Sequence, residues 1–206
     1  LQPGRPGWFS ALQAPSLVVM GAASGLGMIA LLAAVTRSGL RLQSRIPKTT
    51  FAWIGNTMLT LGLVSLYFMV IEYLVAVFAP NPREARVTDA VLSGPYAWIF
   101  WLTVGLLLLG LAILLLQTLT KQYSVTLVAL AGLLLNVATI GKRYVTVVPS
   151  QTHGAILPYA PGSYAPSGVE YLVVLGVLSL GALLFVMFLK VFPITDVDDV
   201  AEGSSA

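Results

Sequence analysis

Glu72, Lys142 and Arg143 are the residues of this sequence best placed to do chemistry, because each stands inside a long apolar stretch. An ionisable group at the centre of a bilayer costs roughly 2.5–3.5 kcal/mol on insertion scales, so each calls for a partner or a job. At 1.5 Å per residue, Glu72 lies about 10 Å beyond the middle of its apolar segment, and Lys142 and Arg143 lie a similar distance beyond the middle of theirs. The two segments run in the same direction, so the three groups fall at one level. Glu72 with Lys142 or Arg143 is then the most economical ion pair. Such a pair either ties two helices together or belongs to a proton-conducting or quinone-facing polar cluster, since membrane-embedded acids often mark proton routes. Asn136, near the centre of the second segment, and Tyr67 and Tyr73 beside Glu72 extend the cluster in the functional reading. Asn136 alone reads more readily as an interhelical hydrogen bond than as a ligand contact.

One histidine remains. His153 sits in PSQTHGAILPYAPGSYAPSG, Pro149 to Gly168, a stretch with no other charged or titratable acid or base apart from tyrosine. Its prolines and glycines predict a rigid, irregular connection, and Tyr159 and Tyr164 suit a membrane interface. The connection reads as a cap on a bundle or a surface for a partner. His153 is either a proton donor near a quinone or a solvated hydrogen-bond partner. With no cysteine in the sequence, disulfides, thiolate metal sites and cysteine-ligated clusters are excluded from the chain. A lone histidine likewise argues against bis-histidine haem and multi-histidine metal sites, so no metal site is expected and any redox metal is placed in a partner.

The elements that hold these residues must be membrane spans. The 206 residues are 57% hydrophobic and 9% charged, against roughly a quarter charged in a soluble domain. A spanning helix needs about 20 apolar residues, and the sequence predicts five: 12–35, 51–79, 96–119, 125–148 and 169–192. None is a cleavable signal peptide, because the first eleven residues lack a basic start and a small-residue cleavage site. The first span carries Gly21 and Gly25 in a small-xxx-small arrangement, with Ala22, Ser24 and Gly27 beside them, which predicts close approach of another helix. Tyr96, Trp98 and Trp101 open the third span as an interfacial belt. The chain begins at Leu1 rather than Met, which leaves open that it is part of something longer.

Orientation follows from the connections. Arg37, Arg41, Arg45 and Lys48 lie between the first two spans without one acid, as a short cytoplasmic loop does. Lys121 and the acidic tail 193–206 share that side. The N-terminus and the loops 80–95 and 149–168 then lie outside. The net charge of +3 gives no sign of nucleic-acid binding.

The segments YFMVIEYLVAVFAPNPRE, GPYAWIFW, NVATIGKRYVTVVPS with HGAILPYAPGSYAPSGVEY, and MFLKVFPI, taken in order and spacing, resemble the C-terminal half of the NrfD/PsrC family. They are most similar to the ActC-type membrane subunit of bacterial alternative complex III. WFSALQAPSLVVMGAASGLGM resembles the family's corresponding helix, although Ser16 and Leu17 stand where a Tyr-Phe usually follows the proline. A second departure is Lys142 ahead of Arg143 and Tyr144, where the family has a Glu-Arg pair, so a Glu72–Lys142 contact is expected to replace the family's pairing.

The resemblance implies an all-α fold in which four helices form a bundle and a fifth is appended, half of a larger ten-helix subunit. It implies a subunit of a respiratory or photosynthetic quinol:electron-acceptor oxidoreductase in the bacterial inner membrane. Its expected partners are other membrane subunits, among them an NrfD-like homologue, an extracytoplasmic iron–sulfur subunit and a c-type cytochrome. Quinol is the implied ligand of the complex, but the family's quinol pocket lies mainly in the other bundle and has no matching positions here. Two alternatives stay open: a transporter or channel fragment with an ion site at Glu72, and a purely structural membrane subunit.

Overall fold

Long apolar runs in lipid leave backbone N–H and C=O groups no partner but each other, and the helix is the local solution. The computed structural model of the protein describes residues 11–39, 46–78, 82–152, 164 and 166–192. Among these residues there are helices and no strands: α1 (Gln13–Gly39), α2 (Lys48–Phe78), α3 (Pro82–Leu92), α4 (Ala97–Thr120), α5 (Val125–Thr152) and α6 (Gly168–Val191). All but α3 are long and apolar enough to cross a membrane. The protein is thus a multi-pass integral membrane protein with the five expected spans. His153, Tyr159, Arg41, Arg45 and the tail 193–206 lie outside the described residues.

Helices α1, α2, α4 and α5 form a bundle in which α1 packs on α2 and α5, and α4 packs on α2 and α5. Phe51, Met58, Leu107, Leu114 and Val128 are its most deeply buried large apolar side chains, alongside the small Ala30, Ala131 and Ala138. In a bilayer the lipid tails are as apolar as leucine, so these side chains hold the bundle by shape rather than by escape from water. The closest approach shows this directly. A Cβ on Gly27 would lie 2.8 Å from the Gly132 carbonyl oxygen, and one on Gly132 would lie 2.7 Å from that of Gly27. One turn away the Ser24 hydroxyl donates to Asn136 Oδ1 at 2.7 Å, while Asn136 Nδ2 donates to the Ser24 and Gly132 carbonyls at 3.2 and 2.8 Å.

The small-residue patch of the first helix therefore works, but through a different face from the one expected. Nothing lies within 4 Å of a Cβ at Gly21 or Gly25. The buried positions are Gln13, Ser16, Met20, Ala23, Gly27 and Ala30, whose spacing of three and four residues marks the stripe turned toward α5 and α2.

Two further boundaries differ from the sequence-based expectation. The expected loop 80–95 contains α3, whose Val87, Ala90 and Val91 are buried while Arg86 and Asp89 are exposed. It begins on Pro82, whose fixed φ suits a first helical turn. Helix α5 runs past Val148 to Thr152 with Pro149 inside it. Pro149 removes one N–H near the helix end, and the Ser150 and Thr152 hydroxyls donate back to the Val147 and Val148 carbonyls at 2.7 and 2.9 Å.

Residues from Tyr164 onward form a separate unit. Within it, the Tyr164 hydroxyl donates to the Glu170 carboxylate in the first turn of α6, and the rings of Phe188 and Phe192 lie 4.9 Å apart near its end.

Candidate functional site

Parallel α2 and α5 bring Glu72 and Lys142 together. Lys142 Nζ donates to Glu72 Oε2 at 2.6 Å. The lysine side chain is 4% exposed and the glutamate 15%, so the pair is sealed on the lysine side and reachable on the carboxylate side. The Tyr73 ring lies beneath the ammonium, 5.0 Å from Nζ to its centroid, within cation–π range. Tyr73 meets Phe100 of α4 edge-on at 4.7 Å. Phe100, Val145 of α5 and Val91 of α3 close an apolar seal against Tyr73.

This arrangement solves the cost that the sequence poses. Two charges held in a dry site are tolerable only when each satisfies the other. Removing either charge would leave the other unpaired.

The candidate residues separate clearly in space. Glu72, Tyr73 and Lys142 come together. Arg143, one position further round α5, is exposed, so of the two possible partners the pair uses Lys142. Tyr67 is 60% exposed, its ring beside Phe68 at 5.8 Å. Asn136 belongs to the Ser24 clamp between α1 and α5 and makes no hydrogen bond to the pair. Tyr164 lies in the other unit, and His153 and Tyr159 fall outside the described residues. No group of three metal-ligating side chains occurs among the described residues.

Sequence reasoning missed Phe100 and α3. Their signal was present: Val87, Ala90 and Val91 repeat at helical spacing after a proline, and Phe100 stands between Trp98 and Trp101 in the segment read as an interfacial belt and as part of the family resemblance. Beside them, the Tyr96 hydroxyl lies 3.0 Å from Thr152 Oγ1, and the Tyr96 and Tyr144 rings are 6.3 Å apart. The start of α4 is thereby tied to the end of α5.

The sequence of this bundle has known relatives. It is 28% identical over 218 residues to the Hdr-like menaquinol oxidoreductase integral membrane subunit of Archaeoglobus fulgidus, covering 95% of this chain and 53% of the relative. It is 25% identical over 205 residues to a subunit of the selenate reductase of Mesobacillus selenatarsenatis, covering 91% of this chain and 44% of the relative. The chain thus spans about half the length of these relatives. The profile of the polysulphide reductase NrfD family matches residues 2–155, which takes in the whole four-helix bundle, the short helix α3 and the Glu72–Lys142 pair. The chain belongs to the NrfD family.

Proposed function

We propose that this chain is a membrane subunit of a quinol-oxidising electron-transfer complex, of the type found in alternative complex III, contributing quinol access from the lipid, a proton path and a docking face for an iron–sulfur subunit. The observation that carries the reading is the buried Glu72–Lys142 pair in an NrfD-family bundle, open only at the carboxylate. The names of the relatives, a menaquinol oxidoreductase subunit and a selenate reductase subunit, support the same class of complex.

In this reading the basic end, with Arg37, Lys48 and Lys121, faces the cytoplasm of a bacterial inner membrane. The N-terminus, α3 and the loop after α5 lie outside, where an iron–sulfur partner and a c-type cytochrome receive electrons. Glu72 accepts a proton released by quinol oxidation, and Lys142 holds the carboxylate in place between transfers. Arg143, Asn136, Tyr67, His153, Tyr159 and Tyr164 have secondary places: Arg143 and the tyrosines at the lipid or partner face, Asn136 as the clamp that fixes α5, His153 in the docking loop.

The test is Glu72→Gln in the assembled complex, with quinol oxidation, proton release and the amount of each subunit measured together. Lowered oxidation and proton release in a fully assembled complex is the expected result. Unchanged turnover and proton release with unchanged assembly contradicts the catalytic role. Loss of assembly alone assigns the pair to structure, a reading that the burial of Lys142 favours.

A further inference from the structure

The opposite end of the bundle carries a second polar cluster that the proposed quinol chemistry does not use. Asn56 of α2 is exposed. Its Oδ1 accepts a hydrogen bond from the Tyr123 hydroxyl at 2.8 Å and lies at the same distance from the Thr118 hydroxyl. The carbonyl side of the amide is therefore turned inward, and its Nδ2 has no partner among the described residues. Trp53, one turn nearer the helix end on the same face, is 66% exposed.

The α4–α5 turn carries a cation, Lys121, two residues before the Tyr123 that bonds to Asn56. Lys121 has φ 53° and ψ 21°, and among the described residues it is the one non-glycine with positive φ. That left-handed position closes α4, and glycine is its usual occupant because a Cβ is disfavoured there. A lysine at such a position accepts local strain, and strain of this kind points to a use for the side chain. Lys121 is exposed and has no hydrogen-bond or ion-pair partner among the described residues. The turn that carries it is pinned on both sides: Tyr123 bonds to Asn56, and the Ser124 N–H donates to Oε1 of buried Gln117 at 2.8 Å.

Among the described residues, α1, α4, α5 and the half of α2 before Glu72 carry no acid to oppose these donors. The sequence holds none from Leu1 to Ile71 and none from Ala90 to Val169, whereas exposed Lys48 starts α2 at this end. Trp and Tyr, as at Trp53 and Tyr123, are the residues enriched at the headgroup level of a bilayer.

From this arrangement we infer that the α2–α4 seam at the basic end is a headgroup site for one anionic phospholipid. The Lys121 ammonium meets the phosphate, the Asn56 amide donates to the phosphate or an adjoining ester oxygen, and Trp53 packs at the glycerol level. Charge complementarity selects this occupant: a zwitterionic headgroup brings a cation of its own to a face whose charged side chains, among the described residues, are cations. The inference stands apart from the quinol reading and does not depend on which leaflet the basic end faces.

The experiment is native mass spectrometry of the purified, delipidated protein with its native partner subunits, titrated with phosphatidylglycerol or phosphatidylcholine. The wild type should retain phosphatidylglycerol preferentially. Lys121→Gly should weaken that retention about fivefold, the factor equivalent to the ~1 kcal/mol that one basic residue contributes at an anionic surface. Because glycine suits the left-handed turn, the same variant should melt no lower than the wild type, so lost binding is not lost folding. Asn56→Ala should also weaken retention, and glycerol phosphate without acyl chains should fail to compete. Equal retention of the two lipids, or unchanged retention in Lys121→Gly, overturns the inference. So does displacement by glycerol phosphate, which would mark a site for free phosphate. Loss of a protein subunit in Lys121→Gly would overturn it in favour of a protein partner on this face.

Discussion

Replacing Glu72 by glutamine removes the charge that makes Lys142 tolerable while keeping nearly the same shape. Breaking a buried pair by deleting one charge costs about 3–5 kcal/mol, because the remaining ion stays desolvated. Two features of this site place the value near the lower bound. The Tyr73 ring at 5.0 Å still faces the ammonium, a contact worth up to ~2 kcal/mol when dry, and the 15% exposure of Glu72 admits some relaxation. We expect a loss of about 3 kcal/mol, or roughly 6–12 °C in melting temperature for a chain of this size. Lys142→Met should cost less, about 2 kcal/mol, since the stranded carboxylate is the more exposed partner, at 15% against 4%. Glu72→Leu with Lys142→Met should recover to within about 1 kcal/mol of the wild type, as apolar replacements of buried pairs commonly do. The assay is reversible unfolding in mixed detergent micelles for the two singles and the double. A Glu72→Gln variant within about 1 kcal/mol of the wild type, or a double variant no more stable than the singles, would refute the reasoning.

The glycines of α1 should divide sharply. Gly27→Ala places a methyl 2.8 Å from the Gly132 oxygen and from Asn136 Nδ2, so it should destabilise by about 1–3 kcal/mol, whereas Gly25→Ala meets nothing and should be neutral or gain up to ~1 kcal/mol; melting curves of the pair check both. Asn136→Leu removes the Ser24 clamp and should cost about 0.5–2 kcal/mol while leaving proton release intact, since Asn136 makes no bond to the ion pair. Phe100→Ala opens the seal over Tyr73 and Lys142 and should cost about 3–5 kcal/mol, with faster hydrogen exchange in the second half of α2 as its signature.

The spans were legible because hydropathy is a sum over some twenty residues and one substitution hardly moves it. The level shared by Glu72 and Lys142 was legible for the same reason: residue counting along rigid rods gives depth. What counting along one rod does not give is the face. Lys142 and Arg143 are adjacent in sequence, and only the rotation of α5 within the bundle decides which of them turns inward. The same ambiguity misdirected the reading of Gly21 and Gly25, one turn apart on the outer face, when Gly27 makes the contact. Helix α3 was missed because its eleven residues carry too little apolar surface to stand out against the spans around it, although the Val87, Ala90 and Val91 spacing contained the pattern. The Asn56 cluster draws on three segments joined only in the folded bundle, so no local motif announces it.

Membership of a quinol-oxidising complex is the central claim for this NrfD-family chain, and affinity purification from its native membrane in mild detergent tests it most directly. The tagged chain should bring down partners with iron–sulfur and c-type haem signals, and adding quinol to the preparation should reduce those centres. Recovery of the chain without any redox-active partner, or with partners whose centres stay oxidised in the presence of quinol, would contradict the claim.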